Sequence, residues 1–291
     1  MIFAKKDENG GRFMPKHRKL FCEYNPLFYQ LAIIKESVRK DTKDRLSGQR
    51  FASRQSPDNL PYIWKGHTSV VLRKLEGVDM ALQEGKAKNL ALAGAKIDGI
   101  VIQPGETFSF WRLVGDPTSR KKGYQPGLVI KGSQLHAGTG GGLCQLANLV
   151  HYLVLHSPLQ VAELHHHSDA LFPDAGRRVP FGTGTSICYK AVDYRFKNTT
   201  SGPVQLRVWQ ADGMLYGELR GAVPLEQSYR LTEERHAYKR EDGVFYRNSQ
   251  IYRIVMDKTT REEQKELLLK NHSRVMYDYA FIPPNEIEAD A

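Results

Sequence analysis

An α+β fold is the expectation for this chain of 291 residues: N-terminal helices, then a mostly antiparallel sheet, with a cysteine-bearing central helix fed by a glycine loop. Three observations predict it. Residues 26–45 and 71–95 carry apolar side chains at helical spacing. Residues 204–209 and 214–219 alternate as strands about the turn Ala211-Asp212-Gly213. Between these regions, residues 138–142 hold four glycines that run directly into an apolar periodic segment ending at Pro158. With 41% hydrophobic and 25% charged residues, the composition is that of a globular protein large enough to bury a core.

Taken in order, residues 1–19 read as a polar, basic tail, and residues 26–45 as a helix. Residues 47–67 are loop-like, with Tyr62 and Trp64 as packing anchors. A long helical region is expected over 71–95, and 98–103 reads as a short strand entering the Pro104-Gly105 turn. Glu106, Phe108, Phe110 and Trp111 form an aromatic strand or loop, and 127–130 is a strand leading to the glycines. After the central helix, 161–167 is expected to be a strand, and 168–184, rich in Pro, Gly and Arg, a cleft-lining loop. Strands are expected over 187–198, 204–209, 214–219, 227–236, 244–246 and 250–256, and a short charged helix over 261–270. The chain thus divides into a tail with a helical segment (1–66), a core domain (67–220) and a strand-rich C-terminal extension (221–291).

A formal charge of +10 suits anionic partners: nucleic acid, an acidic membrane surface or an anionic cell-wall polymer. The finger and aromatic-basic sheet signatures of nucleic-acid binding are missing, so no nucleic-acid partner is expected. No apolar run is long enough for a transmembrane helix, which leaves peripheral membrane contact, and the N-terminus lacks a signal-peptide core, so the expected location is cytoplasmic. The three cysteines, Cys22, Cys144 and Cys188, are odd in number and irregularly spaced, which argues for at least one free thiol.

The chemistry is expected at 136–167. Leu146, Leu149, Val150, Leu153 and Val154 share a helical face, so Cys144 falls in the first turn of that helix. The positive dipole end there favours a thiolate, the form of a thiol that attacks carbonyls. Gly140, Gly141 and Gly142 would let backbone N–H groups approach a substrate oxyanion, with Gln145 as a further donor. Strand geometry would place His165 and His167 on one face, opposite His166, as bases for the thiol. Glu163 is then a candidate to orient the imidazole. Glu106 and Trp111 are candidate cleft walls, and Arg177 and Arg178 candidate clamps for a substrate carboxylate. Two other readings stand beside the enzyme: a binding module for a carboxylated cell-wall peptide, and a zinc-dependent hydrolase using His165, His167 and either His136 or Cys144. The favoured reading needs no metal or cofactor.

Across residues 89–198 the chain resembles the VanW family, named for a gene of the B-type vancomycin-resistance cluster. The matching stretches are NLALAGAKIDGIVIQPGETFSFWRLVG (89–115), KGYQPGLVI (122–130), GGGLCQ (140–145), ELHHHS (163–168) and DYRFKN (193–198). The resemblance implies L,D-transpeptidase-like or amidase-like chemistry, with a peptidoglycan stem peptide or precursor as partner and a possible tie to glycopeptide resistance. It implies Cys144 as nucleophile, His165 and His167 as the paired histidines, and Asp193 as the acidic residue of the last motif.

Overall fold

The computed structural model describes residues 26–72, 79–131, 134–166, 169–170, 173 and 182–288, which form two compact units divided between Ser47 and Gly48. The first unit contributes one helix, α1 (Pro26–Leu46), over the segment whose spacing predicts it. All further elements belong to the second unit, and their order is that of an α+β protein with mainly antiparallel sheets.

Its centre is a five-stranded antiparallel sheet of β1 (Arg54–Gln55), β2 (Tyr62–Val70), β3 (Ile100–Ile102), β10 (Val204–Ala211) and β11 (Met214–Gly221), in the order β1-β3-β10-β11-β2. The β10–β11 hairpin turns at Asp212 and Gly213, both with positive φ, the backbone a two-residue hairpin loop requires. Two helices cover one face, α2 (Met80–Ile97) and α4 (Leu143–Leu155). Gly217 on β11 is the point of closest approach to α4, since a Cβ there would stand 2.9 Å from Leu149. Leu90, Ile97, Ile100, Leu146, Leu153, Leu206 and Leu219 are fully buried between these layers.

A second sheet orders β4 (Thr107–Ser109), β9 (Arg195–Lys197) and β7 (Gln160–Glu163), and its Phe108 and Phe196 rings stack at 4.8 Å in the same core. Strands β5 (Pro126–Lys131) and β6 (Gln134–Thr139) form a hairpin that delivers the chain to the glycines. The long strands β12 (Gln227–Glu241), β13 (Val244–Asp257) and β14 (Glu263–Val275) make a C-terminal sheet, which β8 (Asp169–Ala170) joins in parallel along β14. A small second core of Tyr238, Val275 and Ile282 supports it.

Several expectations are corrected. Residues 62–67, the end of the expected loop, lie on a strand, because β11 supplies an antiparallel partner for β2 on both sides of a bulge at Trp64. Helix α2 starts at Met80 behind Asp79, whose carboxylate accepts the Ala81 N–H and caps the helix, and the preceding strand runs to Val70; residues 73–78 lie outside the described residues. Past the strand β4, Phe110 and Trp111 open a short helix, α3 (Phe110–Val114), capped by Ser109. Of the strand expected over 187–198 only Arg195–Lys197 forms, since 188–192 closes into a turn bridged by Cys188 and Val192. The charged helix expected over 261–270 is strand β14: pairing along β13 overrides the local helix preference of its Glu, Lys and Leu residues.

Candidate functional site

The glycine loop is held by protein on three sides. A Cβ at Gly141 would stand 2.2 Å from the Gly127 carbonyl carbon, and one at Gly142 2.0 Å from Lys86 Cγ on α2. Gly140 likewise abuts Pro117. Gly142 also adopts φ 94°, in the left-handed region that favours glycine. Asn89 of α2 braces the loop from below, its amide donating to the carbonyls of Gln125 and Gly141 at 2.9 Å each. The glycines are therefore required first by close packing of backbone on backbone. The N–H groups of Gly140 and Gly141 are bonded to Gln125 O and Gly138 O, which leaves Gly142, Leu143 and Cys144 as the open backbone donors of the loop among the described residues.

Cys144 is the second residue of α4. Its Sγ makes a long contact, 3.9 Å, to Ile187 O. Contrary to the expectation from the helix dipole, burial pushes the thiol pKa up, a backbone hydrogen bond with Ile187 pulls it down less, and neighbouring Cys188 adds to the rise. Desolvation is the largest influence on this sulfur, so the thiol ionises less readily than an ordinary cysteine. Cys188 is also a free cysteine, and burial raises its thiol as well. Cys22 lies outside the described residues.

Strand β7 ends at Glu163, so His165 and His166 follow it in irregular chain, and the strand alternation expected through the triplet does not include His165. His165 Nε2 stands 3.9 Å from Glu163 Oε1. The backbone of 185–187 straps this histidine to the cysteine helix. Ser186 N–H donates to His165 O at 2.7 Å, Ile187 O faces the Cys144 thiol, and Thr185 N–H donates to Asn148 Oδ1 at 2.7 Å. Asn148 and His151, four and seven residues beyond Cys144, lie on the same face of α4. His151 is buried, its Nδ1 lies 3.0 Å from the Tyr194 hydroxyl, and burial lowers its pKa to about 3, with His166 contributing. Sequence reading missed Asn148 and His151, although their spacing from Cys144 was a usable signal.

Asp193 is placed differently from a triad acid. Buried at the start of the last motif, it accepts from Ser109 Oγ (2.6 Å), Trp111 N (3.1 Å), Tyr194 N (2.9 Å) and Arg195 Nε (2.7 Å). Its own N–H donates to Glu163 Oε1, and Arg195 Nε lies 3.3 Å from Glu163 Oε2. Asp193 thus ties α3, β7 and β9 together, and the carboxylate beside His165 is Glu163. Gln145 spends its amide N–H groups on Ser69 Oγ and Val70 O, anchoring α4 to β2 instead of facing the loop. Glu106 closes the Pro104-Gly105 turn by accepting Gln103 N. Trp111 donates to Val192 O and packs edge-on against Tyr189, walling the 188–192 turn. His167, Arg177 and Arg178 lie outside the described residues. Among the described residues no three His, Cys, Asp or Glu side chains group to hold a metal, and no helix is long and apolar enough to cross a membrane.

A family model described as "VanW like protein" matches residues 85–220, the span that contains the glycine loop, Cys144, Glu163, His165 and Asp193. The chain is 30% identical to "Vancomycin B-type resistance protein VanW" of Enterococcus faecalis, over 80% of this chain and 85% of that protein. It is also 30% identical to "Uncharacterized protein YoaR" of Bacillus subtilis, over 45% of this chain and 42% of that protein. No solved structure matches it. With the similarity running through the glycine loop and both flanking motifs, this chain belongs to the VanW family.

Proposed function

We propose that the chain is a cysteine-dependent acyl-transfer enzyme acting on peptides of the bacterial cell wall. The observation that carries this reading is the strap: Ser186 bonds the His165 carbonyl while Ile187 O meets the Cys144 thiol, beside the open N–H groups of Gly142, Leu143 and Cys144. In the proposed step His165 takes the thiol proton, the sulfur attacks the carbonyl carbon of a stem-peptide amide, and the open N–H groups hold the oxyanion. The amide C–N bond breaks, and the departing amine leaves with the proton from the imidazolium. An acceptor amine then attacks the thioester, a new amide forms, and the sulfur recovers its proton. Glu163 orients and stabilises the imidazolium. Because the thiol ionises less readily than an ordinary cysteine, proton removal by the base is part of the reaction, as in Ser-His pairs. The name of the Enterococcus relative, with its reference to vancomycin resistance, supports extending the proposal to peptides that glycopeptides target.

One observation favours a second reading: burial raises the Cys144 thiol, as in a structural cysteine, which fits a module that binds the peptide without turnover. Incubating the protein with a disaccharide-tetrapeptide and following released amino acid and cross-linked dimer by mass spectrometry tests both. The enzyme reading expects turnover that Cys144→Ser abolishes while peptide binding persists. Binding unchanged in wild type and Cys144→Ser, with no product from either, supports the binding module and ends the enzyme reading.

A further inference from the structure

At the other end of α4 a second group of ionisable side chains gathers, and the reading of Cys144 does not use it. Twelve residues along an α-helix correspond to about 18 Å, so His156 at the C-cap is well separated from Cys144. The rings of His67 on β2 and Tyr152 meet at 4.1 Å, tilted by 37°, and those of Tyr152 and His156 at 4.4 Å, tilted by 48°. Lys65, two residues before His67 and on the same face of the edge strand, holds Nζ over the Tyr152 ring at 5.4 Å. Arg253 of β13 reaches in from the C-terminal sheet and donates through Nη1 to Ser157 O at 3.3 Å.

The charges here are one-sided. Arg253 is offset by Glu266 of β14, which accepts from Nε and Nη2 at 3.0 and 2.7 Å, and the negative end of the α4 dipole offsets part of the rest. The half-buried Lys65 ammonium has no acid partner among the described residues, and burial lowers its pKa. His156 is buried and donates through Nδ1–H to Tyr152 O at 2.8 Å, so its Nε2 is bonded to no described residue. Burial, first, and then Lys65, His67 and Arg253 hold its pKa down to about 4; every charged group acting on it is cationic. Half-burying the Lys65 ammonium beside these rings without a counter-anion costs free energy that a bound anion would return.

We infer that Lys65, His67, Tyr152, His156 and Arg253 form a binding site for a phosphate group. A carboxylate carries one charge and two oxygens. A phosphate carries nearly two charges and three oxygens, enough to balance Lys65 and one recharged histidine together while the Tyr152 hydroxyl and an Arg253 N–H find acceptors. Occupancy therefore restores the proton to His156 and adds no demand on the cysteine site. The phosphate can arrive on a soluble ester or on a lipid headgroup, and the same side chains serve either.

The test uses the full chain at pH 6.5 and low ionic strength, titrated with inorganic phosphate while the histidine ring resonances are followed by NMR. The expected result is saturable binding that raises the titration midpoint of His156, with acetate at equal concentration producing neither effect. Lys65→Gln is expected to weaken binding about tenfold, the loss of one charge-assisted contact, with Lys65→Arg retaining it. Each variant's melting transition, compared with wild type, shows that the fold is intact. Titration with methyl phosphate and with vesicles of phosphatidic acid, whose headgroup is a phosphomonoester, against phosphatidylcholine then assigns the source. Absence of saturable binding, equal effects of acetate and phosphate, or binding unchanged in a folded Lys65→Gln variant would overturn the proposal. None of these outcomes depends on Cys144, whose Ser variant is expected to bind phosphate as wild type does.

Discussion

Asp193 shows how much of the site rests on residues that do no chemistry. Its carboxylate receives two backbone N–H groups, a hydroxyl and a guanidinium in a buried setting. Asp193→Asn keeps the shape but removes the charge that pairs with Arg195 at 2.7 Å, and removing one partner of a buried pair costs about 3–5 kcal/mol. The predicted outcome is a matching fall in the denaturant midpoint, with α3 and β7 losing amide protection first. The resemblance marked Asp193 as the acidic residue of the last motif, but its anchoring role was not legible in the sequence, because that depends on which strands pair around it. His151 gives a pH prediction of definite sign. Its pKa is about 3 when folded, against 6.5 for an ordinary histidine, so the unfolded chain binds more protons between these limits. Stability therefore falls as pH drops from 6.5 towards 3, by up to about 1.4 kcal/mol per pH unit. Comparing His151→Asn with wild type by urea unfolding across this range should show that slope reduced in the variant. An identical slope would mean that His151 titrates normally.

Among the elements, α4 was the most legible, since its apolar spacing, its glycine start and the Pro158 stop all point the same way. The glycine loop was legible in place, but the packing that also requires its glycines was not: Gly141 and Gly142 are pressed against Gly127 and Lys86, contacts set by elements distant in sequence. Alanine at 141 meets backbone at 2.2 Å and cannot be relieved by a rotamer change. Gly141→Ala is predicted to destabilise by more than the 1–3 kcal/mol of ordinary overpacking, read as a loss of folded protein or a sharply lowered melting temperature. Gly213→Ala, in a hairpin turn open to solvent, meets only the positive-φ penalty of roughly 1 kcal/mol. The strand through His165 and the helix over 261–270 were misread for one reason: both depend on a partner strand distant in sequence. Where Arg195 stops pairing with Glu163, β7 stops, and where β13 continues, β14 continues.

At the scale of the molecule, the order of helices before strands was sufficient to give the α+β class, and the turn dipeptides Asp212-Gly213 and Asp242-Gly243 mark its two best-defined hairpins. What composition could not give is the uneven distribution of burial. Most fully buried apolar side chains belong to one cluster that joins α2, α4, the central sheet and the β4–β9–β7 sheet, while the C-terminal sheet has the small core of Tyr238, Val275 and Ile282. Hydrogen exchange is therefore predicted to open β12–β14 at lower free energy than β10, β11 and α4. Equal protection across both sheets would show that they unfold as one unit. The charge of +10 likewise named anionic partners without placing them; the cluster about Tyr152 is one place where half-buried positive charge concentrates.

The central claim is that Cys144 is an acyl-forming nucleophile. The most direct measurement is the intact mass of the protein, quenched in acid after mixing with a stem-peptide donor in the absence of an acceptor amine. The account predicts a mass increase equal to the donor's acyl portion, located on Cys144, reversed by hydroxylamine and missing in Cys144→Ser. An unmodified mass with a donor that demonstrably binds, or an adduct that persists in Cys144→Ser, would contradict it.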